Sequence, residues 1–288
     1  METVLFQLLN GLTLGTVIFL IAVGLTIILG VLGLLNFAHG ALYMLGAYFT
    51  FHLTRLWQWP FGWAVVVAPL AVAAVGGLME YAFFRRLYRA SVTLQLLLTY
   101  AFLLVLNDVT RIVWGADYRV VEPPPALAGT VRLLHGSYPV YSLAVIALGP
   151  VVALALWLFL TRTRVGRIIR AATQDREMTG ALGVPVPRLF TGVFIGGAWL
   201  AGLGGVLAAP IRTITPAMGD QIIIESFIVT VIGGLGSLPG ALAGSVLLGL
   251  LQSFGLLLIP GAEMAFGYIL MALVLIVRPW GLWGEAPG

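Results

Sequence analysis

The sequence predicts an all-α fold: a polytopic membrane helix bundle of about eight transmembrane helices with broken or re-entrant segments. Three observations predict it. Of 288 residues, 60% are apolar and 9% charged, and the mean hydropathy is +1.06. A soluble domain of this length would carry roughly 72 charged side chains, whereas this chain has 15 basic and 11 acidic ones. So few charges cannot cover a globule in water, and the surrounding solvent is therefore lipid. The apolar stretches are also continuous, without strict alternation, which selects helices over a closed barrel.

The spans follow in chain order from the runs that lack Asp, Glu, Lys and Arg. These runs are 3–54, 56–79, 90–107, 133–161, 189–211, 226–262 and 264–277. At about 20 residues per crossing, the first holds two spans. The sixth holds two short ones, or one and a re-entrant piece, and the others hold one each, giving eight or nine crossings. The N-terminal Met-Glu-Thr-Val has no basic n-region and no small-residue cleavage site, so it reads as the start of a first span and not as a signal peptide.

Orientation follows from the arginines. Arg162, Arg164, Arg167, Arg170, Arg176 and Arg188 crowd one loop, which is expected to be cytoplasmic. Arg85, Arg86 and Arg89 lie two spans earlier and fall on the same side by parity, as does Arg278 if 226–262 crosses twice. The segment 112–138, with Asp117, Arg119, Glu122, Arg132 and the run Pro123-Pro124-Pro125, then faces outward, and the N-terminus lies outside. Six arginines against Asp175 and Glu177 give residues 162–188 a charge of +4, which equals the net charge of the whole chain. That balance speaks for membrane topology and not for nucleic acid.

Breaks interrupt two of the apolar runs. Gly30-Val31-Leu32-Gly33-Leu34-Leu35-Asn36-Phe37-Ala38-His39-Gly40 sits inside the first. It is either a tight turn with Asn36 as helix N-cap, or a broken helix whose freed backbone lines a cavity. Gly233-Gly234-Leu235-Gly236-Ser237-Leu238-Pro239-Gly240 cannot continue a straight helix either. Interruptions in the first and last thirds of a membrane chain point to a transport pathway. Small residues four apart (Gly11 with Gly15, Gly192 with Gly196, Gly240 with Gly244) permit close helix approach.

The loop 162–188 reads as two short helices. Val165, Ile168, Ile169 and Ala172 fall on one face of the first, with Arg164, Arg167 and Arg170 in another sector. The second begins near Asp175, whose carboxylate can cap free amides, and ends at Gly183 before Pro185 and Pro187. The pair is either a membrane-surface helix or a docking surface for a soluble partner.

Several chemistries are excluded. There is no cysteine and no lysine, so thiolate, Schiff-base and conventional P-loop chemistry are absent. His39, His52 and His135 are dispersed, which leaves no metal cluster and no cofactor site, and there is no Gly-x-Ser-x-Gly elbow for an intramembrane enzyme. An ion-coupled transporter would need deep titratable groups. Glu80, Asp108, Glu225 and Glu263 all read as lying near span ends, and only His39 reads as deep.

Three pieces in this order and spacing resemble the permeases of ABC importers of the branched-chain amino acid (LIV-type) family. They are Asn36-Phe37-Ala38-His39-Gly40 with Tyr43-Met44-Leu45-Gly46-Ala47-Tyr48, the segment Gly166 to Gly183, and Gly233 to Gly240. The resemblance covers nearly the whole chain. It implies a single type II-like transmembrane permease domain over 1–288, with 162–188 as its cytoplasmic coupling loop. Such permeases carry a motif Glu-Ala-Ala-x-x-x-Gly that docks on the ATPase; here Glu177 and Gly183 keep that spacing while Met178 and Thr179 replace the alanines. The implied coupling residues are Arg164, Gly166, Arg167, Arg170, Ala171, Asp175, Glu177 and Gly183. Asn36, Phe37, His39, Gly40, Tyr43, Gly233, Gly234 and Ser237 are the pathway candidates at or near the breaks, with Asn107 and Asp108 as lesser ones. The implied partners are a second, related but distinct permease, two cytoplasmic ABC ATPase subunits and an extracytoplasmic binding protein, in a bacterial or archaeal inner membrane. The implied substrates are branched-chain or other neutral amino acids, with urea and short amides as the alternative.

Overall fold

A computed structural model describes residues 2–88, 90–133 and 136–284. Arg89 and His135 lie outside the described residues, as does the side chain of Glu263.

The longest helix, α1 (Glu2–Leu32), runs through the centre of the bundle, and Val17 to Val23 are all buried. It is followed by α2 (Ala38–Phe51), α3 (Phe61–Ala82), α4 (Val92–Trp114) and α5 (Val140–Arg162), of which α5 packs on it most extensively. Two short helices follow, α6 (Arg164–Gln174) and α7 (Arg176–Ala181), then α8 (Val186–Ala208), α9 (Met218–Gly233), α10 (Leu238–Leu258) and α11 (Glu263–Val277). Six of these (α1, α3, α4, α5, α8 and α10) are long and apolar enough to cross a membrane. The shorter α2, α9 and α11 have 14, 16 and 15 residues, and a π-helical turn, His52–Leu56, prolongs α2. The expected eight or nine crossings thus resolve into six long helices and three shorter ones among the described residues.

The bundle has two distinct ends. At one, Arg85 donates to the Pro187 carbonyl and to Thr191 Oγ1, each at 3.2 Å, so the first arginine cluster lies beside the 162–188 segment. The chain after α11 returns to this end, where the Leu282 and Trp283 amides donate to the Ile232 and Gly233 carbonyls at 2.8 and 3.1 Å. Arg278 therefore lies there too, and α9 and α10 meet there at the Gly233–Ser237 turn. At the opposite end Arg55 pairs with Glu122 at 2.7 Å, and Arg119 and Ile214 exchange backbone hydrogen bonds. Phe6 of α1 stacks at 5.9 Å on Tyr138, so the N-terminal end of α1 shares this end with the 112–138 segment. That segment also contains a feature not foreseen from the sequence, an antiparallel hairpin of β1 (Thr130–Leu133) and β2 (Gly136–Pro139).

Close helix contact is made through glycine, but not everywhere it was expected. Gly11 and Gly15 lie against the α10 backbone, and Gly240 against Gly233. Gly192 and Gly196 have open space where a side chain would stand, so that pair joins no helices within the chain. Gly205 of α8 is as tightly placed as Gly240, since a methyl there would overlap the Tyr43 carbonyl oxygen of α2.

Buried charge is the main departure from expectation. Glu225 is 3% exposed in the middle of α9 and Glu80 is fully buried near the end of α3. Counting charge-free runs makes each charge a span boundary by construction, whereas α9 starts seven residues before Glu225, at Met218. A carboxylate at a helix centre in lipid costs about 2.5–3.5 kcal/mol. Both are therefore partnered: Glu80 accepts from the Tyr88 hydroxyl at 2.6 Å, and Glu225 faces Arg212. Asp108 is exposed and pairs with Arg111 at 3.5 Å.

Candidate translocation pathway

A polar cavity of about 360 Å³ opens at the end where the hairpin lies, among α1, α5, α9, α10 and α11. Its polar wall is built from regular spacing. Gln7, Asn10 and Thr13 recur every three residues along the otherwise apolar α1 and so share one face. Tyr138 of β2 closes over that face, donating to Asn10 Oδ1 at 3.1 Å and lying 3.1 Å from Thr13 Oγ1. From α10, Ser253 donates to the Gln7 carbonyl at 2.8 Å. The charged part is Arg212, in the connection after α8, with Nη2 4.0 Å from Glu225 Oε2. Gln221, one turn before Glu225 on α9, donates to Glu225 Oε1 at 3.2 Å. Tyr43 of α2 lies behind the pair, its buried hydroxyl against Arg212 and within electrostatic reach of Glu225.

Of the expected pathway residues, only Tyr43 touches this cluster. Asn36 is fully buried in the link between α1 and α2, and neither its amide nitrogen nor its oxygen has a hydrogen-bond partner. It does not cap α2 with its side chain, because Phe37 occupies the cap position. The backbone freed at this break is instead met by Thr99 of α4, which donates to the Leu35 carbonyl at 3.1 Å. Phe37 packs 5.0 Å from Phe227 and 6.1 Å from Tyr100. His39 is buried with Nε2 3.1 Å from the Ile21 carbonyl, and Gly40 lies so close to α9 that a methyl would overlap the Gly219 carbonyl. Asn107 donates to Asp220 at 3.0 Å, joining α4 to α9.

The second break lies beside the first. A methyl at Gly30 would come within 2.8 Å of Gly236 Cα, so α1 leaves the bundle against the turn between α9 and α10. Gly234 and Gly236 take φ of +97° and +79°, conformations that side chains resist. Gly233 packs on Gly240, and Ser237 caps α10 by accepting from the Gly240 amide at 3.1 Å. The two interruptions, far apart in sequence, form one junction at the arginine-rich end.

Helices α6 and α7 cover that junction. Thr163 caps α6, accepting from the Gly166 amide at 3.0 Å, and Gly166 lets α6 fold back over Phe159 and Leu160 of α5. The buried face of α6 is Gly166, Ile169 and Ala172, whereas Val165 is half exposed, so the face is turned from the one the periodicity indicates. Arg164, Arg167, Arg170 and Ala171 are exposed. Asp175 caps α7 by accepting from the Met178 amide at 2.9 Å, and Gly183 follows at φ +85°, both as the sequence indicates. Glu177, Met178 and Leu182 project outward, and Thr179 faces inward. Arg176 holds α7 to the bundle. Its guanidinium lies 5.4 Å over the Phe190 ring of α8, and Nη2 is 3.0 Å from where a Gly33 side chain would begin.

The cavity cluster of Arg212, Glu225, Gln221 and Gln252 was missed in the sequence. The signals present were the three-residue spacing of Gln7, Asn10 and Thr13 and the four-residue spacing of Gln221 and Glu225.

The family model described as "Branched-chain amino acid transport system / permease component" matches residues 7–278. The high-affinity branched-chain amino acid transport system permease protein BraD of Pseudomonas aeruginosa is 31% identical, over 97% of this chain and 95% of that protein. Its counterpart LivH of Escherichia coli K12 is 30% identical with the same coverage. The permease LivM of Escherichia coli K12 is 27% identical, over 94% of this chain and 68% of that protein. With its apolar helices and a match from residue 7 to 278, the chain belongs to the branched-chain amino acid transport permease family and is a multi-pass membrane protein.

Proposed function

We propose that this chain is the membrane-embedded half of the pathway of an ATP-driven importer for branched-chain or other neutral amino acids, in a bacterial or archaeal cytoplasmic membrane. Residues 1–288 act as one permease domain. The arginine-rich end faces the cytoplasm by the positive-inside rule. There the 162–188 segment docks on a separate ABC ATPase, which supplies the lysine-dependent phosphate chemistry this lysine-free chain lacks. An extracytoplasmic binding protein delivers substrate at the hairpin end. The second half of the pathway is a related but distinct permease, a reading supported by similarity to both LivH and LivM of one organism.

One observation carries the coupling role. Arg176 of α7 lies against Gly33 in the first break, and the first break lies against Gly236 in the second. A push on the exposed Glu177–Leu182 surface therefore reaches both interrupted segments through van der Waals contact. Alternating access follows as rigid-body displacement of helices around the junction.

The loop is tested by Glu177→Arg and Gly183→Pro in the assembled transporter. Glu177 is exposed, so its reversal alters the docking surface without disturbing the fold. Proline cannot adopt the φ of +85° at residue 183. ATP-driven leucine uptake into proteoliposomes is expected to fall about tenfold or more, the scale of an interdomain coupling energy. Normal uptake by both variants would refute the coupling role.

A further inference from the structure

The polar cavity has a charge arrangement that the translocation reading does not explain. Arg212 and Glu225 approach only to 4.0 Å, too far for a hydrogen bond to each other, and each is held by neutral neighbours instead, Arg212 by Tyr43 and Glu225 by Gln221 and Gln252. The pair nevertheless stands on the wall of an open cavity of about 360 Å³, within the range of about 300–1,000 Å³ typical of small-ligand sites. Gln221 donates to Glu225 Oε1 from 3.2 Å, and the buried Gln252, on the same cavity wall, is the carboxylate's second amide neighbour. Leu14, Ile211 and Met264 form an apolar flank beside these polar groups.

We propose that Arg212 and Glu225 form a binding subsite for the zwitterionic head group of an α-amino acid, with Arg212 taking the carboxylate and Glu225 the ammonium group. When the subsite is empty the two charges neutralise each other across a loose contact, so no uncompensated charge is buried. A zwitterion enters by exchange: each protein charge trades a long ion pair for a charge-assisted hydrogen bond to the ligand, and the cavity stays neutral. A ligand with one charge satisfies one partner and strands the other, which is the expensive outcome in a buried site. A neutral amide engages the glutamines and leaves the ion pair as it was. The side chain of the amino acid lies along the apolar flank, which favours aliphatic residues without fixing their shape.

The subsite rests on the amino-acid importer reading, and the test separates the two. Equilibrium binding of L-leucine is measured on the assembled transporter in lipid nanodiscs without binding protein. The competitors are 4-methylpentanoate, 3-methylbutylamine and urea. Leucine is expected to compete at about tenfold lower concentration than any of the three, the factor that one charged hydrogen bond supplies. Arg212→Gln is expected to erase the margin over the amine, and Glu225→Gln the margin over the acid. Arg212→Lys keeps the charge and retains the margin. A wild-type transporter with no margin would overturn the subsite. So would variants that lower the thermal midpoint yet keep both margins, since the pair would then be structural only. ATP-driven leucine uptake is followed in the same preparation. Uptake without the margins removes the subsite and leaves the importer reading standing; the margins without uptake remove the importer reading and keep the subsite.

Discussion

Gly205→Ala is expected to destabilise the bundle by about 3 kcal/mol, the upper range of overpacking costs. Alanine is the better helix former by about 1 kcal/mol, so an exposed glycine would gain from the change. Gly205 is not exposed. Its missing side chain is where the Tyr43 carbonyl and the Ala47 amide of α2 already lie, and both are backbone atoms that no rotamer can move aside. The same change at Gly192 or Gly196, where space is open, is expected to be neutral or stabilising. Thermal unfolding of the three purified variants in detergent would decide it. Equal midpoints for all three would show that α2 and α8 do not pack at this distance. Because α2 carries His39, Gly40 and Tyr43, the contact also fixes where the first break sits relative to the cavity.

Arg176→Glu is expected to abolish ATP-driven uptake while changing stability little. At an exposed site the contact with the Phe190 ring is worth about 0.5–1 kcal/mol, too small for its loss to unfold α8. The effect on transport is larger because Arg176 is the side chain of α7 that reaches the first break. A glutamate there ends the attraction to the ring and leaves Gly33 uncovered. ATP hydrolysis by the assembly is expected to continue, so the diagnostic result is hydrolysis without uptake. Retained uptake would move the coupling route elsewhere. A parallel loss of subunit assembly would mean that the residue builds the docking face and does not transmit motion.

Much of this was legible in the sequence because it depends on local chemistry. Asp175 and Gly183 delimit α7 by a carboxylate cap and a glycine stop, and both are found in those roles. The two glycine-rich breaks were legible for the same reason, since glycine and proline act where they stand. Their adjacency was not, because residues 30 and 236 meet only through the packing of α1 on α10. The pair Arg212 and Glu225 was hidden by the criterion that found the spans. Charge-free runs end at every charge, so a carboxylate two turns inside a helix is read as its edge. The buried face of α6 was misplaced for a third reason: Gly166, absent from any hydrophobic pattern, is the residue that packs.

On the proposed function, this chain moves solute only when a separate ATPase acts on the 162–188 surface. The direct measurement is leucine uptake by the purified assembly in proteoliposomes, once with ATP and no ion gradient or membrane potential and once with a proton gradient and potential but no ATP, accompanied by identification of its subunits. ATPase subunits and a second permease are expected to co-purify, and uptake to require both ATP hydrolysis and the binding protein. Uptake driven by a proton gradient or membrane potential without ATP, or an active assembly containing no ATPase, would contradict the proposed function.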